Sequence, residues 1–131
     1  SCGVFESFKN DNRMSPNTLF NTIMAGLNCG IPSKNAWEII KSGCDAVIKI
    51  SDKEVKKAMR QFYNPIANDI KIISGASGAA GLAGLIKVLD FEKCNDLKKH
   101  LNINQDSKIL LFNTEGDTDP DNFNKIVSKF N

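Results

Sequence analysis

A run of apolar β-formers, Lys108-Ile-Leu-Leu-Phe-Asn113, leads directly into a small, polar and acidic segment, Thr114-Glu-Gly-Asp-Thr-Asp-Pro120. The apolar run predicts a buried strand, and the polar segment predicts a loop at the carboxyl end of that strand. Asp119 and Pro120 match the N-cap and the first position of a helix over about 120–130. Because ligands of open α/β sheets bind at the carboxyl ends of the strands, this junction indicates both a fold class and the edge where a site would lie.

Two more apolar runs precede this junction. Residues 45–50 and 69–74 each predict a short strand, and helical patterns separate the runs. Ser33 matches the N-cap of one helix, and Ser51-Asp-Lys-Glu54 is a capping box that begins another, which ends near Tyr63. This alternation predicts an α/β fold, a partial three-layer sandwich with a short, mainly parallel sheet.

The length of 131 residues fits a single α/β domain over residues 1–131. Residues 1–21 are polar and predict an irregular N-terminal segment, and residues 22–30 predict a loop, since two glycines interrupt them. A helix rich in Ala and Gly is predicted to follow Gly78, and a further helix to run over about 95–101.

The composition excludes several function classes. The net charge is +2, and no basic stripe of the kind that binds nucleic acid is present. No apolar run approaches the roughly 18 to 20 residues of a membrane span, and the first residues do not resemble a signal peptide. We therefore expect a cytoplasmic protein without a nucleic-acid or membrane partner.

The four cysteines are Cys2, Cys29, Cys44 and Cys94, and none belongs to a CxxC pair. His100 is the single histidine, so the sequence predicts no metal site. The simplest interpretation is four reduced, mostly buried thiols in a reducing compartment.

A glycine recurs every third residue at Gly75, Gly78, Gly81 and Gly84. The spacing is neither that of a dinucleotide-binding fingerprint nor that of a P-loop. At Gly81 and Gly84 it favours a close contact between a helix and its neighbour. The turn over 74–78 lies where the helix begins, so its hydroxyls and amides either hold a polar or anionic ligand or cap the helix.

Three segments, at 22–30, 73–79 and 113–120, resemble the C-terminal part of the diaminopropionate ammonia-lyase family in order and spacing. That family belongs to the tryptophan-synthase-β-like, fold type II group of pyridoxal-phosphate enzymes. The resemblance covers about residues 2–127. It implies a C-terminal fragment of a larger enzyme that eliminates ammonia from 2,3-diaminopropionate to give pyruvate, with pyridoxal phosphate as the cofactor and an amino acid as the substrate.

The family's Schiff-base lysine lies in a Phe-Lys-x-Leu-Gly-Gly motif. The nearest match here is Phe8-Lys9-Asn10-Asp11, which lacks the Leu-Gly-Gly. We therefore predict that this chain contributes no catalytic residue and is inactive by itself.

The resemblance also implies cofactor contacts. Thr114 matches the hydroxyl residue that faces the pyridine nitrogen, and a neutral hydroxyl does not force that nitrogen to stay protonated. Ala25 and Gly26 match a loop that packs beside the cofactor, where small residues let the backbone approach. The alternatives are local: Thr114 as a turn residue that bonds its own backbone, and Ala25 and Gly26 as a tight structural turn.

The same resemblance places Ser74 and Ser77 at the cofactor. Ala76 departs from the family, which commonly has Glu there, so an acid–base role of this turn is not implied. Glu115 either attracts the ammonium group of the substrate or caps the final helix, whereas Asp117 and Asp119 are interpreted as caps.

Two other functions are compatible with the sequence. One is a noncatalytic α/β module that binds a small anion or a partner protein. The other is a fragment of a threonine or serine dehydratase. The resemblance argues against it, because such enzymes have a turn of the Ser-Gly-Gly-Asn type where this chain has Thr-Glu-Gly-Asp at 114–117. Exposed strand edges and apolar sheet surface would favour a homodimer or other self-association.

Overall fold

The structure is a computed structural model that describes residues 2–17 and 21–129. The described chain divides into two compact units, one extending to Lys49 and the other beginning at Ile50. Its α-helices are α1 (Gly3–Lys9), α2 (Lys34–Gly43), α3 (Asp52–Tyr63), α4 (Ala80–Asp90), α5 (Asn95–His100) and α6 (Pro120–Val127). Short 3-10 turns lie at Ala25–Leu27 and Glu92–Cys94.

No β-strand occurs within residues 2–17 and 21–129, so the predicted α/β sandwich with a mainly parallel sheet is wrong. The runs over 45–50, 69–74 and 108–113 all lack regular secondary structure. A strand requires a ladder of backbone hydrogen bonds to a neighbour, and no ladder joins 69–74 to 108–113. These apolar residues have high β-propensity, but a strand also needs a neighbouring segment that pairs with its backbone in register.

The first unit packs two helices that carry aromatic residues. The rings of Phe8 in α1 and Trp37 in α2 meet edge to face at 5.2 Å, and Trp37 is buried. Ser33 caps α2 as predicted, because its hydroxyl accepts a hydrogen bond from the Ala36 backbone N–H at 3.2 Å. Helix α1 lies inside the segment 1–21, so the prediction that this whole segment is irregular is wrong.

The core of the second unit lies between α3, α4 and α6. Its buried apolar side chains are Val55, Ala58, Met59, Ala79, Ala83, Val88, Phe123, Ile126 and Val127. Tyr63 at the end of α3 meets Phe123 of α6 edge to face at 5.6 Å. This core fixes the start of α4 and the start of α6, and the candidate functional residues of this unit lie beside those two starts.

Local capping signals place the helix starts of the second unit. The Ser51 backbone N–H donates to Glu54 Oε2 at 2.6 Å, and the Glu54 backbone N–H donates to Ser51 Oγ at 3.4 Å, which confirms the capping box. Asp119 Oδ1 accepts from the Asn122 backbone N–H at 3.2 Å, which confirms the cap of α6. Helix α6 ends at Val127, shorter than the predicted 120–130, of which residue 130 lies outside the described residues.

The four cysteines carry free thiols. Cys29 is exposed and the other three are half-buried, so the prediction of mostly buried thiols is wrong. None of the helices within the described ranges is both long and apolar enough to cross a membrane.

Candidate functional site

A turn over 74–79 and a loop over 113–118 meet in the second unit, beside the start of α4. The Gly75 backbone N–H donates to the Glu115 carbonyl oxygen at 2.9 Å. The Ser77 backbone N–H donates to Glu115 Oε2 at 2.6 Å. One residue of the loop therefore holds the turn through both its backbone and its side chain.

Asn113 makes a second connection between the two segments. Its Nδ2 donates to the Ile73 carbonyl oxygen at 3.1 Å, and its Oδ1 accepts from the Ser74 hydroxyl at 2.9 Å. The same Oδ1 also accepts from the Glu115 backbone N–H at 3.4 Å. Ser74 is only 1% exposed, so this amide joins the loop to a buried point of the turn.

Two glycines of the turn are required by the closeness of the loop. A Cβ added at Gly75 would overlap the Gly116 carbonyl oxygen, and one at Gly78 would overlap Asn113 Oδ1. The Gly78 Cβ would also lie 2.8 Å from the Glu115 carbonyl oxygen and 2.9 Å from Ser74 Oγ. Neither glycine has a positive φ, so space, and not backbone conformation, requires glycine here.

The other two glycines of the periodic pattern have different surroundings. A Cβ at Gly81 would meet the Leu111 side chain at 3.5 Å, an ordinary van der Waals contact. Around a Cβ at Gly84, no described atom other than its chain neighbours and the nearby backbone of its own helix lies within 4 Å. Space therefore requires glycine at neither position, and the predicted close packing of this helix face on a neighbouring helix or strand is not found among the described residues.

The charge of Glu115 suits its position. The partial positive charge at a helix start favours a carboxylate, and the 2.6 Å length of the bond from Ser77 is typical of a charge-assisted hydrogen bond. The N-cap of α4 is Ala79, whose methyl side chain cannot accept a capping hydrogen bond. The anion beside the start of α4 is thus the chain's own carboxylate, and the Ser74 hydroxyl bonds to Asn113 instead of capping this helix.

Thr114 lies between the two anchoring residues of the loop. Its side chain is exposed, whereas Asn113 before it and Glu115 after it both hydrogen-bond to the turn. The structure therefore brings together four of the predicted site residues, which are Ser74, Ser77, Thr114 and Glu115.

The other two predicted site residues lie in the first unit. Ala25 and Gly26 are exposed and form part of the 3-10 turn Ala25–Leu27. Lys9, the nearest match to the family's lysine motif, is exposed at the end of α1.

Sequence reasoning did not single out Asn113 as a site residue. Its carboxamide can donate and accept at once, which lets one side chain bridge Ile73 and Ser74. The available signal was a polar amide at the end of an apolar run. Asp117 was interpreted as a cap, but no described hydrogen bond joins it to α6, whose cap is Asp119.

A cavity of about 240 Å³ is lined by residues of α3 and α4. Two ion pairs line it, Lys87 with Glu54 and Lys57 with Asp90, each at 3.0 Å. Burial raises the pKa of the Glu54 carboxyl, but hydrogen bonds from Ser51 and Lys87 and the charge of Lys87 outweigh it, so the pKa is lowered. None of the predicted site residues lines this cavity.

Among residues 2–17 and 21–129, no group of three or more His, Cys, Asp and Glu side chains is arranged to hold a metal ion. The polar atoms that converge at the turn and loop are amides, hydroxyls and one carboxylate. This set suits hydrogen bonding to an organic ligand better than metal ligation.

Comparison with known proteins identifies a family. Residues 1–114 match the family described as pyridoxal-phosphate dependent enzyme. The chain is 41% identical over 106 residues to a diaminopropionate ammonia-lyase of Escherichia coli strain K12, covering 81% of this chain and 27% of that protein. It is 38% identical over 107 residues to the diaminopropionate ammonia-lyase of Salmonella typhimurium strain LT2, covering 81% of this chain and 26% of that protein.

Solved structures give the same result. The E. coli enzyme in complex with an aminoacrylate-PLP azomethine reaction intermediate superposes with a TM-score of 0.80 at 36% identity, covering 95% of this chain and 31% of that chain. The same enzyme in complex with D-serine gives a TM-score of 0.82 at 35% identity, covering 97% of this chain and 31% of that chain. The chain thus spans between a quarter and a third of the length of these relatives.

Proposed function

The chain belongs to the family of pyridoxal-phosphate-dependent enzymes, and on that premise we propose that it is the C-terminal part of an ammonia-lyase that converts 2,3-diaminopropionate to pyruvate and ammonia. The observation that carries the proposal is the 41% identity to diaminopropionate ammonia-lyase over 81% of this chain. The E. coli enzyme, solved in complex with an aminoacrylate-PLP azomethine reaction intermediate, shares the fold of 95% of the chain. Pyridoxal phosphate supplies the electron sink for such an elimination.

The turn over 74–79 and the loop over 113–118 carry groups that suit this cofactor. Thr114 presents an exposed hydroxyl on a loop that is held on both sides. A hydroxyl can donate to or accept from a ring nitrogen, so we propose that Thr114 is its partner. The Ser77 backbone N–H donates to the Glu115 carboxylate, so a contact of this turn with the cofactor would come from its side chains. We propose that Ser74 and Ser77 belong to the same site.

Ala25 and Gly26 complete the proposed cofactor residues. Both are small and exposed, so their backbone offers little obstruction to a flat ring. Glu115 has two alternative roles, which are to attract the ammonium group of the substrate or to hold the loop on the turn. A carboxylate has about four lone-pair directions, and two described hydrogen bonds to the side chain use only part of that capacity.

The proposal is tested with the complete polypeptide that carries this chain, loaded with pyridoxal phosphate. We expect pyruvate from 2,3-diaminopropionate, a strong loss of kcat in Thr114→Ala and substantial activity in Thr114→Ser, which keeps a hydroxyl. A protein that is inactive on diaminopropionate but forms 2-oxobutyrate from threonine would be a dehydratase. A protein that does not bind pyridoxal phosphate would favour the noncatalytic module.

We also propose self-association and a cytoplasmic location. Leu110 is 77% and Phe112 75% exposed, and Ile70 is also exposed. Large apolar side chains this exposed support a proposed contact surface. The free thiols are consistent with a reducing compartment.

A further inference from the structure

Thr114 lies in a segment with no regular secondary structure. A hydroxyl on such a segment is a useful partner for a ligand only if something else fixes the backbone on which it stands, since positioning to within about 1 Å affects turnover strongly. The residues that could do so are its immediate neighbours.

On the N-terminal side the anchor is Asn113. Its side chain bonds to the Ile73 carbonyl oxygen at 3.1 Å and to the Ser74 hydroxyl at 2.9 Å. Because Ser74 is 1% exposed, this anchor is tied to the interior of the unit.

On the C-terminal side the anchor is Glu115. Its Oε2 accepts from the Ser77 backbone N–H at 2.6 Å, and its Oε1 accepts from the Thr118 hydroxyl at 3.1 Å. Its carbonyl oxygen accepts from the Gly75 backbone N–H at 2.9 Å. Both carboxylate oxygens are therefore engaged within the chain.

We infer that Asn113 and Glu115 are positioning residues that hold the Thr114 hydroxyl in place for the cofactor by fastening the residues on either side of it to the turn over 74–79. This inference rests on the proposed function, because it takes Thr114 to face pyridoxal phosphate. It assigns the carboxylate of Glu115 to the loop and not to the substrate.

The geometry separates these two roles of Glu115. A Gln side chain has the same shape and an acceptor oxygen for the Ser77 N–H, but it has no charge. Positioning depends on shape and hydrogen bonds, so Glu115→Gln retains most of it and Glu115→Ala loses it. Binding of an ammonium group depends on negative charge, so both substitutions remove it.

The test compares Glu115→Ala and Glu115→Gln with wild type in the complete protein. The control is Asp121→Asn, which removes an exposed carboxylate of α6 for which no hydrogen bond is described. Amide hydrogen exchange of the peptide covering 113–118 is measured without cofactor, and the Kd of pyridoxal phosphate and the KM for 2,3-diaminopropionate are measured with it.

Loss of a charge-assisted hydrogen bond predicts exchange about tenfold faster or more in Glu115→Ala. We expect its Kd for pyridoxal phosphate to rise about tenfold as well, with a larger change in kcat than in KM. Glu115→Gln replaces a charged acceptor by a neutral one, so its exchange and Kd should rise by only about fivefold, less than in Glu115→Ala, and Asp121→Asn should match wild type. If Glu115→Ala does not fold, Thr118→Val removes one exposed hydrogen bond to the same carboxylate and should change exchange and Kd in the same direction.

Two results would overturn the inference. One is wild-type exchange and cofactor affinity in Glu115→Ala. The other is an equal, large rise in KM in Glu115→Ala and Glu115→Gln with the Kd of pyridoxal phosphate unchanged, which would make Glu115 a substrate contact. A wild-type protein that does not bind pyridoxal phosphate would refute the proposed function and any role toward the cofactor, whereas exchange in the variants would still show whether Glu115 holds the loop.

Discussion

Substituting Ala for Gly78 should destabilise the protein by about 4 kcal/mol, and the same substitution at Gly84 should stabilise it. The new Cβ at Gly78 would overlap Asn113 Oδ1 and lie 2.8 Å from the Glu115 carbonyl oxygen. It would also lie 2.9 Å from Ser74 Oγ, and Ser74 is buried. The Glu115 oxygen belongs to the backbone, and the Asn113 and Ser74 side chains are held by a hydrogen bond to each other, so the loop must move away from the turn.

The magnitude follows from the hydrogen bonds that such a movement breaks. The loop and the turn share two neutral bonds, from the Gly75 N–H to the Glu115 carbonyl oxygen and from the Ser74 hydroxyl to Asn113 Oδ1, and one charge-assisted bond, from the Ser77 N–H to Glu115. Each neutral bond contributes about 1 kcal/mol net and the charged one about 2 kcal/mol, which sum to about 4 kcal/mol. That is a large part of the roughly 5 to 15 kcal/mol by which domains are stable.

Gly84→Ala is the matched control, since Gly84 lies inside α4 and no described atom other than its chain neighbours and the nearby backbone of its own helix lies within 4 Å of its built Cβ. Replacing a helical glycine by Ala stabilises by about 0.5 to 1 kcal/mol. Urea denaturation followed by far-UV circular dichroism at neutral pH gives both free energies of unfolding. If Gly78→Ala is as stable as wild type, or is stabilised as Gly84→Ala is, then the loop does not pack on the turn as described and the reasoning fails.

Four further predictions follow from particular residues. Because the pKa of Glu54 is lowered, its ionised carboxylate stabilises the fold above its ordinary pKa of 4.5, and this stabilisation is lost as pH falls through the lower folded-state pKa. Glu54→Gln should therefore reduce the dependence of the urea midpoint on pH in that acidic range. Equal dependence in both proteins would contradict the assignment. Asp119→Ala should destabilise by about 1 kcal/mol because it removes the cap of α6, and a thermal melt equal to that of the exposed-site control Asp121→Ala would be inconsistent with the cap. Replacing both Leu110 and Phe112, which are 77% and 75% exposed, by Ser should lower self-association in sedimentation velocity; an unchanged distribution would mean that the contact surface lies elsewhere. The chain by itself with added pyridoxal phosphate should release no pyruvate from diaminopropionate, and turnover above the free-cofactor background would direct attention to an unexpected lysine, beginning with Lys9.

The helix starts were predictable because their causes are local. Ser33, the Ser51 to Glu54 capping box and the Asp119-Pro120 pair each act on amides within three residues, so a short window of sequence contains all the interacting groups. The family could be recognised for a similar reason, since three short motifs in order and spacing are properties of the chain alone.

That the apolar runs form no sheet within the described residues was not predictable from the same windows. The runs over 69–74 and 108–113 have the composition of buried strands, but Ile70, Leu110 and Phe112 are exposed. Whether such a run becomes a strand depends on a neighbour that pairs with its backbone, and the described chain provides no such ladder between them. Helix α1 was missed because only seven residues form it, and its pattern is too short to stand out.

For the candidate site, the sequence identified residues and the tertiary structure decided their contacts. The sequence was sufficient to nominate Thr114, Ser74, Ser77 and Glu115, because their motifs match those of a family. Tertiary structure alone decided that Glu115 bonds to the Ser77 N–H and that Asn113 joins Ser74 to the loop. These contacts join groups 38 and 39 residues apart, and a hydrogen bond over that separation exists only once the core between α3, α4 and α6 has brought the turn and the loop together.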